Sequence, residues 1–99
     1  MSPRADKHGT PIAREVEIVN KKGLHARASA KFVQTAEKYD AAVTVTRGQE
    51  TVGATSIMGL MMFAAGPGTK VLIKATGKDA AAAVKALCEL VESHFGEEE

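Results

Sequence analysis

The sequence has no tryptophan and only four aromatic residues, three Phe and one Tyr. That is too few to furnish the stacking platforms on which single-stranded nucleic acids are usually held. Charge of one sign is also missing. Thirteen basic side chains face twelve acidic ones, a formal net charge of +1, which provides no general attraction to nucleic acid or to an anionic membrane. One cysteine, Cys88, excludes an internal disulfide. It lies in an apolar helical pattern and reads as an inert core thiol, as in a reduced cytosolic domain. The longest apolar stretch, 57–65, is interrupted by Gly59 and falls far short of the ~20 residues of a membrane-spanning helix. The opening MSPRADKHGTPIAR has no apolar core of a secretory signal. A cytoplasmic protein without membrane contact is expected. No GxxxxGK[ST] loop is present to bind ATP, and no His/Cys/carboxylate set has zinc spacing. Neither cofactor nor metal is expected.

What is there is an ordinary globular balance, 44% hydrophobic and 25% charged over 99 residues, enough for one domain with one modest core. Residues 1–14 show no periodicity and read as a flexible N-terminal tail. From Glu15, EVEIV alternates, with Val16 and Ile18 toward a core. Asn20-Lys21-Lys22-Gly23 reads as a turn. The spacing of Ser29, Phe32, Val33 and Ala36 predicts a helix over 26–39, ended by Asp40. Val43 and Val45 mark a strand over 42–46. Arg47-Gly48 turns it into a second strand, QETVGA. Thr55-Ser56 precedes a short apolar helix, IMGLMMFAA, stopped by Gly66-Pro67-Gly68. Leu60 and Phe63 are expected in its core. Val71, Ile73 and Ala75 share a strand over 70–76. Asp79 is a suitable N-cap for a helix over 80–95, whose Val84, Leu87, Cys88, Val91 and Phe95 form one buried face. The order is βαββαβα, and one-sided strands need cover on one face only. A two-layer, open-faced α+β sandwich follows, with 15–96 as the domain and 97–99 as an acidic end.

One residue breaks a local rule. Helix starts favour Ser, Thr, Asp or Asn, yet the first helix opens Gly23-Leu24-His25-Ala26-Arg27. Local rules tend to fail at functional sites. Gly23 permits unusual backbone geometry, and Leu24 is suited to anchor in the core while His25 faces outward. A neutral imidazole at such a helix start is a nucleophile. A phosphoryl group accepted there would meet backbone N–H groups of Ala26 and Arg27 and the Arg27 guanidinium. A simple capping or solvated histidine fits the same spacing. His8 and His94 have no ligand-like partners and read as non-functional.

Three segments in register decide between those readings. GLHARASA (23–30), TSIMGLM (55–61) and the run from Gly66 through KVLI to Gly77 and the last helix resemble the HPr family, the histidine phosphocarriers of the phosphoenolpyruvate-dependent phosphotransferase system. The resemblance covers about 14–96. GLHARASAKF, TSIMGLMMFAA and the acidic end resemble the nitrogen-type branch at least as closely as the sugar-type branch.

The resemblance implies a four-stranded antiparallel sheet with three helices on one face. It implies phosphorylation of His25 through Nδ1, enzyme I as donor and IIA-type proteins as acceptors. Arg27 stands at the motif's arginine. Such a protein is a stoichiometric carrier, not a turnover enzyme. One departure is Ala28, where the motif usually has proline. Proline presets the first helical turn, so a usable but less rigid site is expected.

Ser56 reads both as a helix N-cap and, by resemblance, as a regulatory serine for HPr kinase/phosphorylase. Ile57, Met58 and Met61 read as an exposed partner-binding patch, because flexible methionine surfaces suit several partners. Lys31 is assigned to electrostatic steering. Nothing in the sequence requires more than a monomer. The rival readings are an HPr-like regulatory binding module that transfers no phosphoryl group and, against the charge and aromatic content, a nucleic-acid-binding domain.

Overall fold

The computed structural model describes residues 11–19, 25–62 and 66–96. Among these residues four strands and three helices follow in the order βαββαβα: β1 Ile12–Glu17, α1 Ala26–Ala36, β2 Ala42–Arg47, β3 Glu50–Gly53, α2 Ile57–Met62, β4 Lys70–Thr76 and α3 Ala80–Glu92. A short 3-10 turn, His94–Gly96, follows.

The strands form one antiparallel sheet in the order β1-β4-β2-β3. β4, the last strand made, lies between β1 and β2 and pairs with both. Alternation decides which face is covered. Val16 lies opposite Val71, Val45 opposite both Ile73 and Val52, and Val43 opposite Ala75. These positions fall on one side of the pleat. The helices supply the other layer: α3 packs on β1, β4 and β2, and α1 packs against α3 and α2. Phe32 and Val33 of α1, Leu60 of α2, and Val84, Leu87, Cys88 and Val91 of α3 are all buried in that layer. The architecture is the open-faced α+β sandwich expected, and every core position expected within the described residues is buried. Phe63, Leu24, Gly23 and the turn at 20–23 lie outside the described residues, as do 1–10 and 97–99.

Element ends differ from the periodicity in instructive ways. β1 begins at Ile12, three residues inside the expected tail, because Ile12, Ala13 and Arg14 pair with Ala75, Lys74 and Ile73. The domain therefore takes in residues assigned to the tail. α1 stops at Ala36 rather than 39, tightening into i→i+3 bonds from Lys38 to Thr35 (3.2 Å) and Tyr39 to Ala36 (3.2 Å). The next amide, of Asp40, is taken by the Asp79 carboxylate at 2.8 Å, and the Asp79 amide donates to the Asp40 carbonyl at 2.9 Å. Asp79 thus stands at the N-cap position of α3 but makes no side-chain capping bond to its own helix. Its carboxylate ties the α1–β2 and β4–α3 connections together. Gly77, at φ +119°, closes this junction: a Cβ there would stand 3.1 Å from the Asp40 carbonyl oxygen and the Ala41 Cα.

α3 ends at Glu92, not at 95. His94, Phe95 and Gly96 take positive φ (61°, 56° and 74°), a left-handed turn that costs about 1–2 kcal/mol at each non-glycine residue. Full burial of the Phe95 side chain offsets that cost. The helical spacing placed Phe95 in the core correctly, although a turn and not a helix delivers it.

Cys88 is fully buried, and burial pushes its thiol up. The neutral thiol is therefore favoured in the fold. Its stabilising contribution is present below the usual thiol range of about 8.5 and is lost as pH rises through the raised folded value. The native protein should react negligibly with an aromatic disulfide reagent at neutral pH and release one equivalent of thiolate on unfolding. The alkaline slope of Tm should be flatter in Cys88→Ala. Fast native labelling would place the thiol at the surface.

Candidate functional site

His25 occupies the N-cap of α1, with extended backbone (φ −75°, ψ −179°). Its carbonyl accepts the first intrahelical bond, from the Ser29 amide at 2.8 Å. The amides of Ala26, Arg27 and Ala28 are those an α-helix leaves without an intrahelical acceptor. The imidazole answers one of them: Nδ1 accepts from the Arg27 N–H at 3.2 Å. An accepting Nδ1 carries a lone pair, so its nucleophilic electrons are turned toward the first turn of the helix. The ring is half-buried, while Ala26 and Arg27 are exposed. Histidine replaces the usual short capping side chain here, and the cap and the candidate nucleophile are one atom. A group on Nδ1 would sit where backbone N–H groups converge and the helix dipole favours an anion.

Ala28, at the position of the motif's proline, is fully buried and opens the core face of α1. Burial there restrains the first turn through packing instead of through a ring.

Ser56 caps α2. Its Oγ accepts from the Gly59 N–H at 3.0 Å, an interaction worth about 1 kcal/mol at an N-cap. Gly59 is required by that closeness: a Cβ would stand 2.9 Å from Ser56 Oγ and 3.1 Å from the Val52 side chain. Ser56 is nonetheless exposed. Met58 is 71% exposed and Met61 41%, while Leu60 between them is fully buried. The short helix hangs on Leu60 and shows its methionines to solvent. The side chain of Ile57 lies outside the described part. Because α2 packs against α1, the histidine-bearing helix and the methionine-bearing helix are neighbours in the same layer.

Lys31 has a structural partner besides the steering role expected of it: its ammonium donates to the Phe95 carbonyl at 2.6 Å and is partly buried, which ties the left-handed C-terminal turn to α1. The sequence carried no signal for this, because the carbonyl belongs to a residue 64 positions away.

Comparison with known proteins bears on what this arrangement belongs to. The family described as PTS HPr component phosphorylation site matches residues 12–93. The chain belongs to the HPr family. It is 48% identical to the phosphocarrier protein HPr of Neisseria meningitidis over 88 residues, 89% of this chain and 99% of that protein. It is 41% identical to the phosphocarrier protein NPr of Shewanella violacea, covering 89% of this chain and 97% of that one. Relatives named HPr and NPr thus both match over most of the chain. Among solved structures, the HPr of Thermoanaerobacter tengcongensis superposes with a TM-score of 0.84 at 45% identity, covering 89% of this chain and 99% of that one. The HPr of Bacillus anthracis superposes at 0.80 with 37% identity, covering 84% and 99%. HPr proteins are phosphocarriers of the phosphotransferase system. Among the described residues, no helix is long and apolar enough to cross a membrane.

Lys31→Met keeps the aliphatic stem and removes the donor to Phe95. It should lower stability by roughly 1–2 kcal/mol, read as a fall in the urea midpoint at unchanged slope. An unmoved midpoint would mean that the ammonium is solvated and free.

Proposed function

We propose that this HPr-family chain accepts a phosphoryl group from enzyme I, ultimately from phosphoenolpyruvate, on Nδ1 of His25 and donates it to a IIA-type protein in the cytoplasm. The observation that carries this reading is the Nδ1 lone pair held 3.2 Å from a first-turn amide. In the forward step Nδ1 attacks phosphorus, the N–P bond forms, and the bond from phosphorus to the donor breaks with its electron pair staying on the donor. Charge on the phosphoryl oxygens then falls among the Ala26 and Arg27 amides, within reach of the Arg27 guanidinium. The Arg27 amide exchanges an imidazole acceptor for a phosphoryl oxygen, so no backbone rearrangement is needed. Positioning and charge stabilisation are most of what phosphoryl transfer demands of a protein. The product is a phosphorylated carrier, consumed by the next transfer, so the chain acts stoichiometrically.

The exposed Met58 and Met61, with Ile57 in the same helix, form the surface we assign to partner docking. Ser56 lies at its edge. A phosphate on Ser56 would add roughly −1.5 to −2 charge beside that apolar surface and oppose docking by repulsion and desolvation. HPr kinase/phosphorylase is the enzyme type that would install it. Lys31 keeps its charge in the bond to Phe95, and we assign it electrostatic steering of partners.

Incubation with phosphoenolpyruvate and enzyme I should add the mass of one acid-labile phosphoryl group, and His25→Ala should accept none. Arg27→Ala should keep its thermal transition and accept the group about 10- to 100-fold more slowly, the loss of a charge-assisted bond worth about 1.5–3 kcal/mol. Equal labelling of His25→Ala would overturn the assignment and favour an HPr-like binding module that transfers nothing. Ser56→Asp should slow acceptance from enzyme I, measured as initial rate. An unchanged rate would leave Ser56 as a cap alone.

A further inference from the structure

Among the described residues, sulfur occupies two contrasting environments. Cys88 is fully buried and burial pushes its thiol up, so it offers little thiolate to an oxidant. Met58 and Met61 lie three residues apart on one side of α2, 71% and 41% exposed, and Met58 is well beyond the other exposed large hydrophobic residues described, Ile12 and Val19, at 39% each. A thioether needs no deprotonation to be oxidised, so its reactivity follows access. The accessible thioethers therefore stand on the surface that the carrier reading gives to partners. α2 is held by the fully buried Leu60 and by the Ser56–Gly59 bond.

We propose that Met58 and Met61 are a peroxide-sensitive modification site whose oxidation weakens docking of phosphotransfer partners while leaving the fold and the His25 chemistry intact. The inference rests on the carrier function proposed above. In the step itself, a sulfur lone pair attacks one oxygen of hydrogen peroxide, an S–O bond forms and the O–O bond breaks. Sulfur is oxidised by two electrons, and the departing hydroxide takes the proton from the transferred oxygen and leaves as water. The product sulfoxide is polar, and seating it in a partner's apolar contact requires desolvating its oxygen. Thiol-driven methionine sulfoxide reduction reverses the change.

The test uses the full chain titrated with hydrogen peroxide. Oxidised positions are mapped by peptide mass, Tm is followed, and KM and kcat for acceptance from enzyme I are measured before and after treatment. Of the pair, Met58 should oxidise before Met61, with Cys88 intact and Tm unmoved. KM should rise about tenfold (about 1.4 kcal/mol) with kcat retained, and methionine sulfoxide reductase should restore it. The doubly substituted Met58→Leu/Met61→Leu chain, whatever its own starting KM, should show the same KM before and after peroxide. An unchanged KM with Met58 fully converted to sulfoxide overturns the inference. So does a fall in Tm, or an equal loss in the double variant, which places the damage elsewhere. An untreated chain that accepts no phosphoryl group overturns the carrier reading itself, and that result is known before peroxide is added.

Discussion

A helix cannot begin without leaving amide hydrogens that its own carbonyls do not reach. In this protein the acceptor that meets one of them is an imidazole nitrogen, His25 Nδ1 against the Arg27 N–H. That single bond makes a structural requirement and a chemical opportunity coincide. The amides that need an acceptor in the resting chain are the amides an incoming anion would find. A serine in the same place would satisfy the helix equally well and offer no imidazole nitrogen on which an N–P bond could form.

The rest of the fold positions the helix that begins there. α1 is fixed on its core side by Ala28, Phe32, Val33 and Ala36 and on its flank by the Lys31–Phe95 bond. Its far end is held where Asp40 meets Asp79. The sheet beneath depends on β4, which joins β1 and β2 by pairing with both. Each constraint involves residues distant in the chain, so α1 is positioned by tertiary contacts and not by propensity alone. The left-handed turn at His94–Gly96 belongs to the same scheme, since backbone strain there is balanced by the burial of Phe95 and by one charged donor.

Burial was easily legible because it follows periodicity. Val43, Val45, Val71, Ile73 and Ala75 alternate, and Val84, Leu87, Cys88 and Val91 recur at helical spacing, so their inward faces needed no structure to find. Ends were less legible because they are set by partners. β1 reaches back to Ile12 since β4 is long enough to pair with it. α1 stops early since Asp40 must reach Asp79. Asp79 has the composition of an N-cap, yet its carboxylate serves another connection.

Local chemistry was therefore written in the chain itself: the open-faced α+β pattern, the histidine at a helix start, the serine ahead of a short helix and the outward methionines. Each depends on residues within a turn or two of one another, and short-range spacing is what a sequence displays directly. Only the tertiary structure decided that Lys31 is bound to Phe95, that Asp79 joins two connections, and that Phe95 enters the core through a left-handed turn. Those outcomes turn on which distant groups come within hydrogen-bond reach. That is fixed by packing across the sheet, where sequence separation carries no information about distance.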